Sequence, residues 1–216
     1  YKNNISYQAK IYKKYIKNKN LLDYGCGHGN FLNSVNFCKS LSGYEINKKN
    51  INFLIKKNIK LYSDLNDINL KFDVITLLHV IEHLENPLKE LLIINNLLKK
   101  NGTLIVETPH AEDLLIHNDH FKNFTFWSEH LMLHTEQSLK VLLTKSGLKN
   151  IKIDFVNRFN LSNHLRWFLE GKHSGHIKPE YINMVSKNIE NKYRDKIIKL
   201  KKTDTIIAIC QKAYSI

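Results

Sequence analysis

Short apolar runs alternate along this chain with segments whose apolar positions recur at helical spacing. Seven runs have the length and composition of β-strands, at residues 20–24, 41–46, 59–63, 72–78, 103–107, 151–155 and 205–210. The run at 72–78 is apolar at five of its seven positions, which is typical of a strand buried on both faces. The alternation predicts an α/β fold in which a mostly parallel sheet carries helices on both faces.

The segments between these runs predict helices that begin at Asn30, at residue 47, near Pro87 and after Thr135. The second of them covers residues 47–58, and the third stops at residues 99–102. Proline is favoured in the first turn of a helix, threonine at the N-cap and glycine just after the last turn. Thr135 and Gly147 therefore bound the fourth helix.

A stretch of about 45 residues, 160–204, separates the last two predicted strands and is too long for a simple connection. It shows helical patterning around residues 165–169 and 181–200. We interpret it as a helical cap that covers a binding site and contributes to substrate recognition. With 216 residues, of which 43% are hydrophobic, the chain is expected to form one domain over residues 1–216.

The charge of the chain favours an anionic partner, because 33 lysines and arginines outnumber 20 acidic residues and give a formal charge of +13. The lysines are scattered, and they form no stripe with interleaved aromatic residues. A nucleic-acid partner is therefore unlikely on this evidence, and a small anionic molecule suits the charge equally well. The sequence leaves the oligomeric state open.

Three unevenly spaced cysteines, Cys26, Cys38 and Cys210, form neither a disulfide framework nor a zinc signature. No run approaches the roughly 20 apolar residues that span a bilayer, and the first twenty residues lack the apolar core of a signal peptide. We therefore expect a cytoplasmic protein without a membrane span.

A glycine-rich loop directly follows the first predicted strand. Residues 21–29 read Leu-Leu-Asp-Tyr-Gly-Cys-Gly-His-Gly, with an acid, Asp23, two positions before the first glycine. Glycines at this position let the backbone approach a ligand closely. A second acid, Glu45, closes the next strand and suits the two hydroxyls of a ribose. Asn30 stands where a dinucleotide-binding fingerprint requires its third glycine.

The pattern Asp-x-Gly-x-Gly-x-Gly resembles the first motif of the class I S-adenosylmethionine-dependent methyltransferases. Residues 72–79 resemble their fourth-strand motif, and residues 98–106 resemble the following helix-turn-strand, which ends here in Thr108-Pro109. The resemblance implies a Rossmann-like, seven-stranded sheet whose last two strands form an antiparallel hairpin. It also implies that S-adenosylmethionine is held by Asp23, Gly25, Cys26, Gly27, Gly29, Glu45, Ile46, Asp64, Leu65 and His79.

The segment His79-Val-Ile-Glu82-His83 permits three interpretations. It is similar to the Glu-x-x-Glu-His of metal-dependent O-methyltransferases, which implies a divalent metal on His79, Glu82, His83 and His130. Imidazole in place of a carboxylate favours zinc, iron or nickel over magnesium. Alternatively, one histidine among His79, His83 and His130 is a general base or a hydrogen-bond donor to the acceptor. In the third interpretation, Glu82 and His83 only order the loop. A zinc-peptidase reading of H-x-x-E-H is rejected because the segment ends a strand.

Polar and aromatic side chains after the fifth strand and in the cap suggest the site of the methyl acceptor. The candidates are His110, His120, Trp127, His164, Arg166 and Trp167. The segment Asn-His-Leu-Arg-Trp and the terminal Thr-Asp-Thr resemble methyltransferases of bacterial surface-polysaccharide pathways. This resemblance implies methyl transfer to oxygen on a small, anionic sugar, nucleotide-sugar or capsule precursor. A nucleic-acid methyltransferase and a non-catalytic cofactor-binding protein remain the alternatives.

Overall fold

The computed structural model describes residues 2–51, 59–126, 129–172 and 185–213. Its seven strands are β1 (Asn20–Tyr24), β2 (Ser40–Tyr44), β3 (Ile59–Tyr62), β4 (Phe72–Leu78), β5 (Leu98–Pro109), β6 (Leu148–Val156) and β7 (Thr205–Lys212). Its helices are α1 (Lys2–Ile16), α2 (Asn30–Ser34), α3 (Lys48–Ile51), α4 (Pro87–Leu97), α5 (Asp119–Thr125), α6 (Glu136–Lys145), α7 (Leu161–Glu170) and α8 (Lys187–Lys199). Short 3-10 turns cover residues 65–67, 81–83 and 114–117.

One seven-stranded sheet in the order β3-β2-β1-β4-β5-β7-β6 organises the described chain. Strands β1 to β5 are mutually parallel, whereas β7 is antiparallel to both β5 and β6. This confirms the Rossmann-like fold and the antiparallel hairpin that the sequence predicts. The carboxyl ends of the parallel strands share one edge of the sheet, where ligands bind in open α/β folds.

Helices cover both faces of the sheet, because neighbouring residues of a strand point to opposite sides. On one face, Leu22 packs in the same apolar cluster as Leu91 of α4 and Leu139 of α6. On the other face, Leu21 belongs to a cluster with Tyr12 of α1 and Phe31 of α2, and both clusters are buried. The sheet is thus the middle layer of three.

The predicted helix starts are confirmed by their caps. The side chain of Asn86 accepts the backbone N–H of Lys89, and Pro87 occupies the first turn of α4. Thr135 and Ser138 exchange side-chain and backbone hydrogen bonds at the start of α6. These bonds satisfy donors that the first turn of a helix leaves unpaired.

Several predicted boundaries were wrong. Helix α4 ends at Leu97, not at residues 99–102, because the chain turns directly into β5 and Asn101-Gly102 lies inside that strand. Strand β2 ends at Tyr44, so Glu45 follows it. Helix α1 was not predicted. The helix expected over 47–58 is described as far as Ile51, and residues 52–58 lie outside the described part of the chain.

The segment predicted as a cap forms helices α7 and α8, and residues 173–184 between them lie outside the described residues. Asn160 caps the start of helix α7, where its side chain accepts the N–H of Asn163, and Gly171 caps its end. Among the described residues, no helix combines the length and the apolar character that crossing a bilayer requires.

Candidate active site

The glycine loop between β1 and α2 is held open by backbone hydrogen bonds to the next strand. The N–H groups of Gly25 and Cys26 both donate to the carbonyl of Tyr44, at 2.8 and 3.0 Å. Gly25 has a φ of +74°, and a Cβ there would lie 2.6 Å from a methyl carbon of Val80. Gly27 has a φ of +52°, and no atom lies within 4 Å of its would-be Cβ. The loop therefore favours glycine twice, at Gly25 because a Cβ would clash with Val80, and at Gly27 because its φ is positive.

Glu45 shapes the loop from the end of β2. One carboxylate oxygen accepts the N–H of Gly27 at 2.8 Å, and the other accepts the N–H of Asn47 at 2.7 Å. Each oxygen keeps a further lone pair for a ligand hydroxyl. Beside it, Ile46 is 73% exposed. Asp64 accepts the N–H of Asn66 at 2.8 Å, and Leu65 packs against the core.

Asp23 is the buried acid of this loop, with 3% of its surface exposed. The hydroxyl of Thr76 donates to its carboxylate at 2.7 Å. Burial raises the pKa of Asp23 to about 7, and the nearby charge of Glu45 adds to the effect although the Thr76 hydrogen bond opposes it. A buried carboxylate next to another acid is expected to attract a cationic ligand.

A cavity of about 1040 Å³ extends from the glycine loop along the carboxyl edge of the sheet. Pockets that bury small ligands commonly have volumes of about 300–1,000 Å³. It is lined by part of the predicted site, namely Asp23, Gly25, Cys26, Gly27, His79, Glu82 and His130. Residues that the sequence did not single out complete its wall, including Tyr7 and Gln8 of α1, Asn157 and Arg158 after β6, and Arg194 of α8.

His79 directly follows β4 and lies between two carboxylates and a guanidinium. Its Nδ1 is 3.3 Å from an oxygen of Glu82, and its Nε2 is 3.2 Å from an oxygen of Glu107. Nη1 of Arg158 lies 2.6 Å from the same Nε2. A protonated Nε2 donates to Glu107 and a deprotonated Nε2 accepts from Arg158, so both protonation states have a partner.

The surroundings of His79 tune its proton affinity. Burial and the charge of Arg158 act to lower its pKa, but the hydrogen bonds and charges of Glu107 and Glu82 outweigh them. The pKa of His79 is therefore raised above its ordinary value. The two acids thus stabilise the charged imidazolium that His79 would form on accepting a proton.

Glu107 organises this part of the site although it is only 2% exposed. Besides His79, its carboxylate accepts hydrogen bonds from Gln8 at 3.0 Å and from the hydroxyl of Tyr12 at 2.5 Å. Burial opposes ionisation, but His79, Arg158 and Tyr12 together lower the pKa of Glu107 to about 2. These two hydrogen bonds join helix α1 to β5, although the residues that they connect are 99 and 95 positions apart in the sequence.

Three of the four predicted metal ligands lie together. Glu82, His83 and His130 each offer one ligand atom, and these atoms are within 4.8 Å of one another. The Nδ1 atoms of the two histidines contact the backbone carbonyls of Glu129 and Thr125, at 2.5 and 2.7 Å. Such contacts to the second ring nitrogen are typical of metal-binding histidines. His79 does not belong to this group.

The predicted acceptor residues do not meet in the cavity. His110 is buried against the carbonyl of Thr203, and His164 is buried against the hydroxyl of Tyr193. His120, Arg166 and Trp167 line a separate depression of about 350 Å³. Trp167 is 4% exposed because Phe121 and Phe124 pack on its ring. Trp127 lies outside the described residues. The described candidates therefore do not share one pocket, and all of them lie outside the lining of the large cavity.

Fold and loop together define a nucleotide-binding α/β protein whose first strand ends in the glycine turn of a cofactor site. A family model described as a methyltransferase domain matches residues 4–153, which is more than half of the chain. The chain belongs to this family and is a class I S-adenosylmethionine-dependent methyltransferase domain.

Curated relatives match part of the chain. A tRNA U34 carboxymethyltransferase of Campylobacter jejuni is 32% identical over 117 residues, which cover 48% of this chain and 40% of that protein. The enzyme of the same name from Campylobacter fetus is 30% identical over 105 residues, or 43% of this chain and 37% of that protein. The match thus spans about 40% of the length of these relatives.

Solved structures match over nearly the whole chain. A SAM-dependent methyltransferase from Archaeoglobus fulgidus has 22% sequence identity and a TM-score of 0.64, covering 98% of this chain and 95% of its own. A SAM-dependent methyltransferase from Thermotoga maritima, described as a possible histamine N-methyltransferase, has 17% identity and a TM-score of 0.63 over 97% and 89% of the two chains. At these identities the similarity shows the fold.

Proposed function

We propose that this domain transfers a methyl group from S-adenosylmethionine to an oxygen of a small anionic acceptor, such as a sugar, a nucleotide-sugar or a capsule precursor. The observation that carries this proposal is that the glycine loop and His79 line the same cavity. The family supports the donor, and the polar wall of the cavity supports a hydrophilic acceptor. His79, as a base next to the acceptor, favours oxygen as the accepting atom, because a hydroxyl group loses its proton when it is methylated.

The loop residues fit the cofactor. The open space beside Gly27 lets backbone approach a ligand, and Glu45 has lone pairs left for ribose hydroxyls. Asp23 places an acid at the end of β1 for the positive charge of the methionine part. S-adenosylmethionine, when bound, supplies a sulfonium methyl group to a nucleophile that is aligned with it. Gly25, Cys26, Gly29, Ile46, Asp64 and Leu65 are proposed to complete its site.

His79 is the proposed general base. Its Nε2 would accept the proton of the acceptor hydroxyl, in place of the hydrogen bond from Arg158, as the acceptor oxygen bonds to the methyl carbon and the bond from that carbon to sulfur breaks. The resulting imidazolium would be stabilised by Glu82 at Nδ1 and by Glu107 at Nε2. Holding donor and acceptor in line contributes most of the rate, and proton removal contributes about 10²–10⁴-fold. His130 also lines the cavity and His83 contacts its ring, so both are weaker candidates for the same role.

The test of the proposal is release of S-adenosylhomocysteine in a screen of acceptors that includes UDP-glucuronate, glucose 1-phosphate and RNA. We expect turnover with at least one small anionic acceptor, and a fall of about 10²–10⁴-fold in kcat for His79→Gln. His117→Gln is the matched control, because His117 is exposed and lies outside the cavity lining. Failure of the purified chain to bind S-adenosylmethionine would refute the proposal.

A divalent metal on Glu82, His83 and His130 is a separate proposal, supported by their geometry and by the carbonyl contacts of both histidines. We expect a 1:1 zinc complex, measured by calorimetry, whose affinity falls at least about 10-fold in His83→Ala and is unchanged in His117→Ala. Equal zinc affinities of the native chain, His83→Ala and His117→Ala would show that the metal does not bind at this site. Methyl transfer that persists in chelator would limit it to a structural role.

A second candidate function is methylation of RNA. The tRNA-modifying names of the Campylobacter relatives and the charge of +13 support it. Binding that neutralises many phosphates weakens steeply with salt, whereas binding of a small molecule with one anionic group weakens much less. The salt dependence of KM for tRNA and for sugar phosphates therefore separates the two. A chain that binds the cofactor but never releases S-adenosylhomocysteine would instead be a non-catalytic binder.

A further inference from the structure

Two arginines from the C-terminal part of the chain line the cavity, and they differ in how their charge is matched. Arg158 follows β6, and its Nε donates to Asp204 at 3.1 Å. The other oxygen of Asp204 accepts the backbone N–H groups of Arg158 and Phe159, at 2.7 and 3.0 Å. Nη1 of Arg158 is also 4.0 Å from Glu107. Arg158 is thus fixed in place, with carboxylates on two sides.

Arg194 of α8 lines the same cavity, but no carboxylate of the described residues pairs with its charge. Its Nη2 donates to the side-chain oxygen of Asn191 at 3.1 Å, and it forms no ion pair with a carboxylate among the described residues. Its charge is felt at the cavity wall, because it acts to lower the pKa of Tyr7, which burial raises. A guanidinium carries five donors, so most of those on Arg194 remain for a ligand.

Asn157 supplies an independent observation on the same wall. Its Nδ2 donates to the carbonyl of Phe159 at 2.5 Å, whereas its Oδ1 is shielded from solvent and has no hydrogen-bond partner in the described structure. A shielded acceptor without a partner is costly and is usually satisfied by a bound group. Asn157 lines the cavity, so a rotation of its side chain would bring Oδ1 to a hydroxyl group of a bound ligand, which would supply the missing donor.

We propose that the acceptor is a hydroxylated oxyanion, whose carboxylate or phosphate binds Arg194 and whose hydroxyl donates to Oδ1 of Asn157. This inference rests on the proposed function and names the residues that select its acceptor. Planar guanidinium groups bind carboxylates and phosphates through paired hydrogen bonds. Arg158 stays on Asp204 and closes the wall beside His79. An acidic sugar or a sugar phosphate has both required groups, whereas a neutral sugar has only one.

The experiment uses the full chain saturated with S-adenosylhomocysteine and measures probe binding by calorimetry at low salt. The probes are glucuronate, glucose 1-phosphate and uncharged glucose. We expect at least one anionic probe to bind about 10-fold or more tightly than glucose, as a charged hydrogen bond of about 1.5 kcal/mol or more implies. Tighter binding of glucuronate identifies the oxyanion as a carboxylate, and tighter binding of glucose 1-phosphate identifies it as a phosphate.

Arg194→Gln is expected to abolish the preference for the anionic probe and to leave the affinity for S-adenosylhomocysteine unchanged. Lys192→Gln is the matched control, because it removes the same charge from the same helix at an exposed residue outside the cavity lining. Asn157→Ala is expected to weaken charged and neutral probes alike. Equal binding of all probes by the native chain would overturn the proposal, as would an Arg194→Gln variant that behaves like the native chain.

A third result would also overturn it. If Arg194→Gln weakens S-adenosylhomocysteine, the guanidinium serves the carboxylate of the cofactor and not the acceptor. These outcomes differ from failure of the proposed function, which appears as a native chain that binds no cofactor at all. The far-ultraviolet circular dichroism of each variant reports whether it is folded, and both substituted arginine and lysine side chains are exposed.

Discussion

Glu107→Ala is expected to lower the free energy of unfolding by about 3–5 kcal/mol, the range observed when one partner of a buried charged pair is removed. The substitution leaves Gln8, Tyr12 and Arg158 without the carboxylate that they surround. It also frees His79 from one of its two acids, so methyl transfer should fall together with stability. Urea unfolding followed by circular dichroism measures the first effect, and release of S-adenosylhomocysteine measures the second.

The expected loss of stability in Glu107→Ala depends on pH. The pKa of Glu107 is lowered to about 2 in the folded chain, from an ordinary value of 4.5. Its contribution is therefore complete above pH 4.5 and is lost as the pH falls toward 2. The stability difference between the native chain and Glu107→Ala should shrink over this interval. Asp154→Ala, which removes an exposed partner of Lys152, should change little at any pH. A difference below about 1 kcal/mol for Glu107→Ala would refute the role of the carboxylate.

Asp23→Asn is expected to stabilise the cofactor-free chain while weakening S-adenosylmethionine about 10–100-fold, because a charged hydrogen bond is worth about 1.5–3 kcal/mol. The pKa of Asp23 is raised from 3.8 to about 7 in the folded chain. Between these values the folded chain holds a proton that the unfolded chain has lost, so stability falls as the pH rises. Asparagine lacks this penalty and should gain about 1–3 kcal/mol at pH 8.

The measurements are thermal unfolding at pH 5 and pH 8 and calorimetric titration with S-adenosylmethionine. The gain in stability should be larger at pH 8 than at pH 5, because at pH 5 the side chain at position 23 is mostly uncharged in the folded native chain as well as in the variant. Asp67→Asn serves as the control, because Asp67 is exposed in the turn after β3 and should show no such trend. A stability difference that is independent of pH would contradict the buried, proton-binding state of Asp23.

The parts of the fold that could be predicted from the sequence are those with a local signal. Strand β4 is apolar at five of its seven positions, Thr135 caps helix α6, and the glycine loop is recognised from seven consecutive residues. The antiparallel pairing of β6 and β7 followed from a family resemblance, since nothing in the two strands themselves specifies their partner. Boundaries failed where the local signal was ambiguous, as at Asn101-Gly102, which suits a turn as well as the strand that it enters.

The missed parts depend on contacts between distant residues. Helix α1 buries Gln8, Ala9, Tyr12 and Ile16, a helical spacing that was present but masked by the lysines and asparagines around it. Nothing near Glu107 in the sequence indicates that Gln8 and Tyr12 will bind it. Trp167 is a candidate acceptor residue on the sequence alone because it lies in a polar segment, whereas in the fold Phe121 and Phe124 pack on its ring.

Strand β7 follows β6 along the chain but lies between β5 and β6 in the sheet. During synthesis, β5 and β6 must therefore wait for β7 before either can complete its hydrogen bonds at this side of the sheet. Pairing that joins Leu104 to Cys210 closes a loop of more than one hundred residues, and such non-local pairing slows folding. In a nascent chain that stops short of β7, the edges of β5 and β6 that β7 would cover stay unpaired, and such edges promote aggregation.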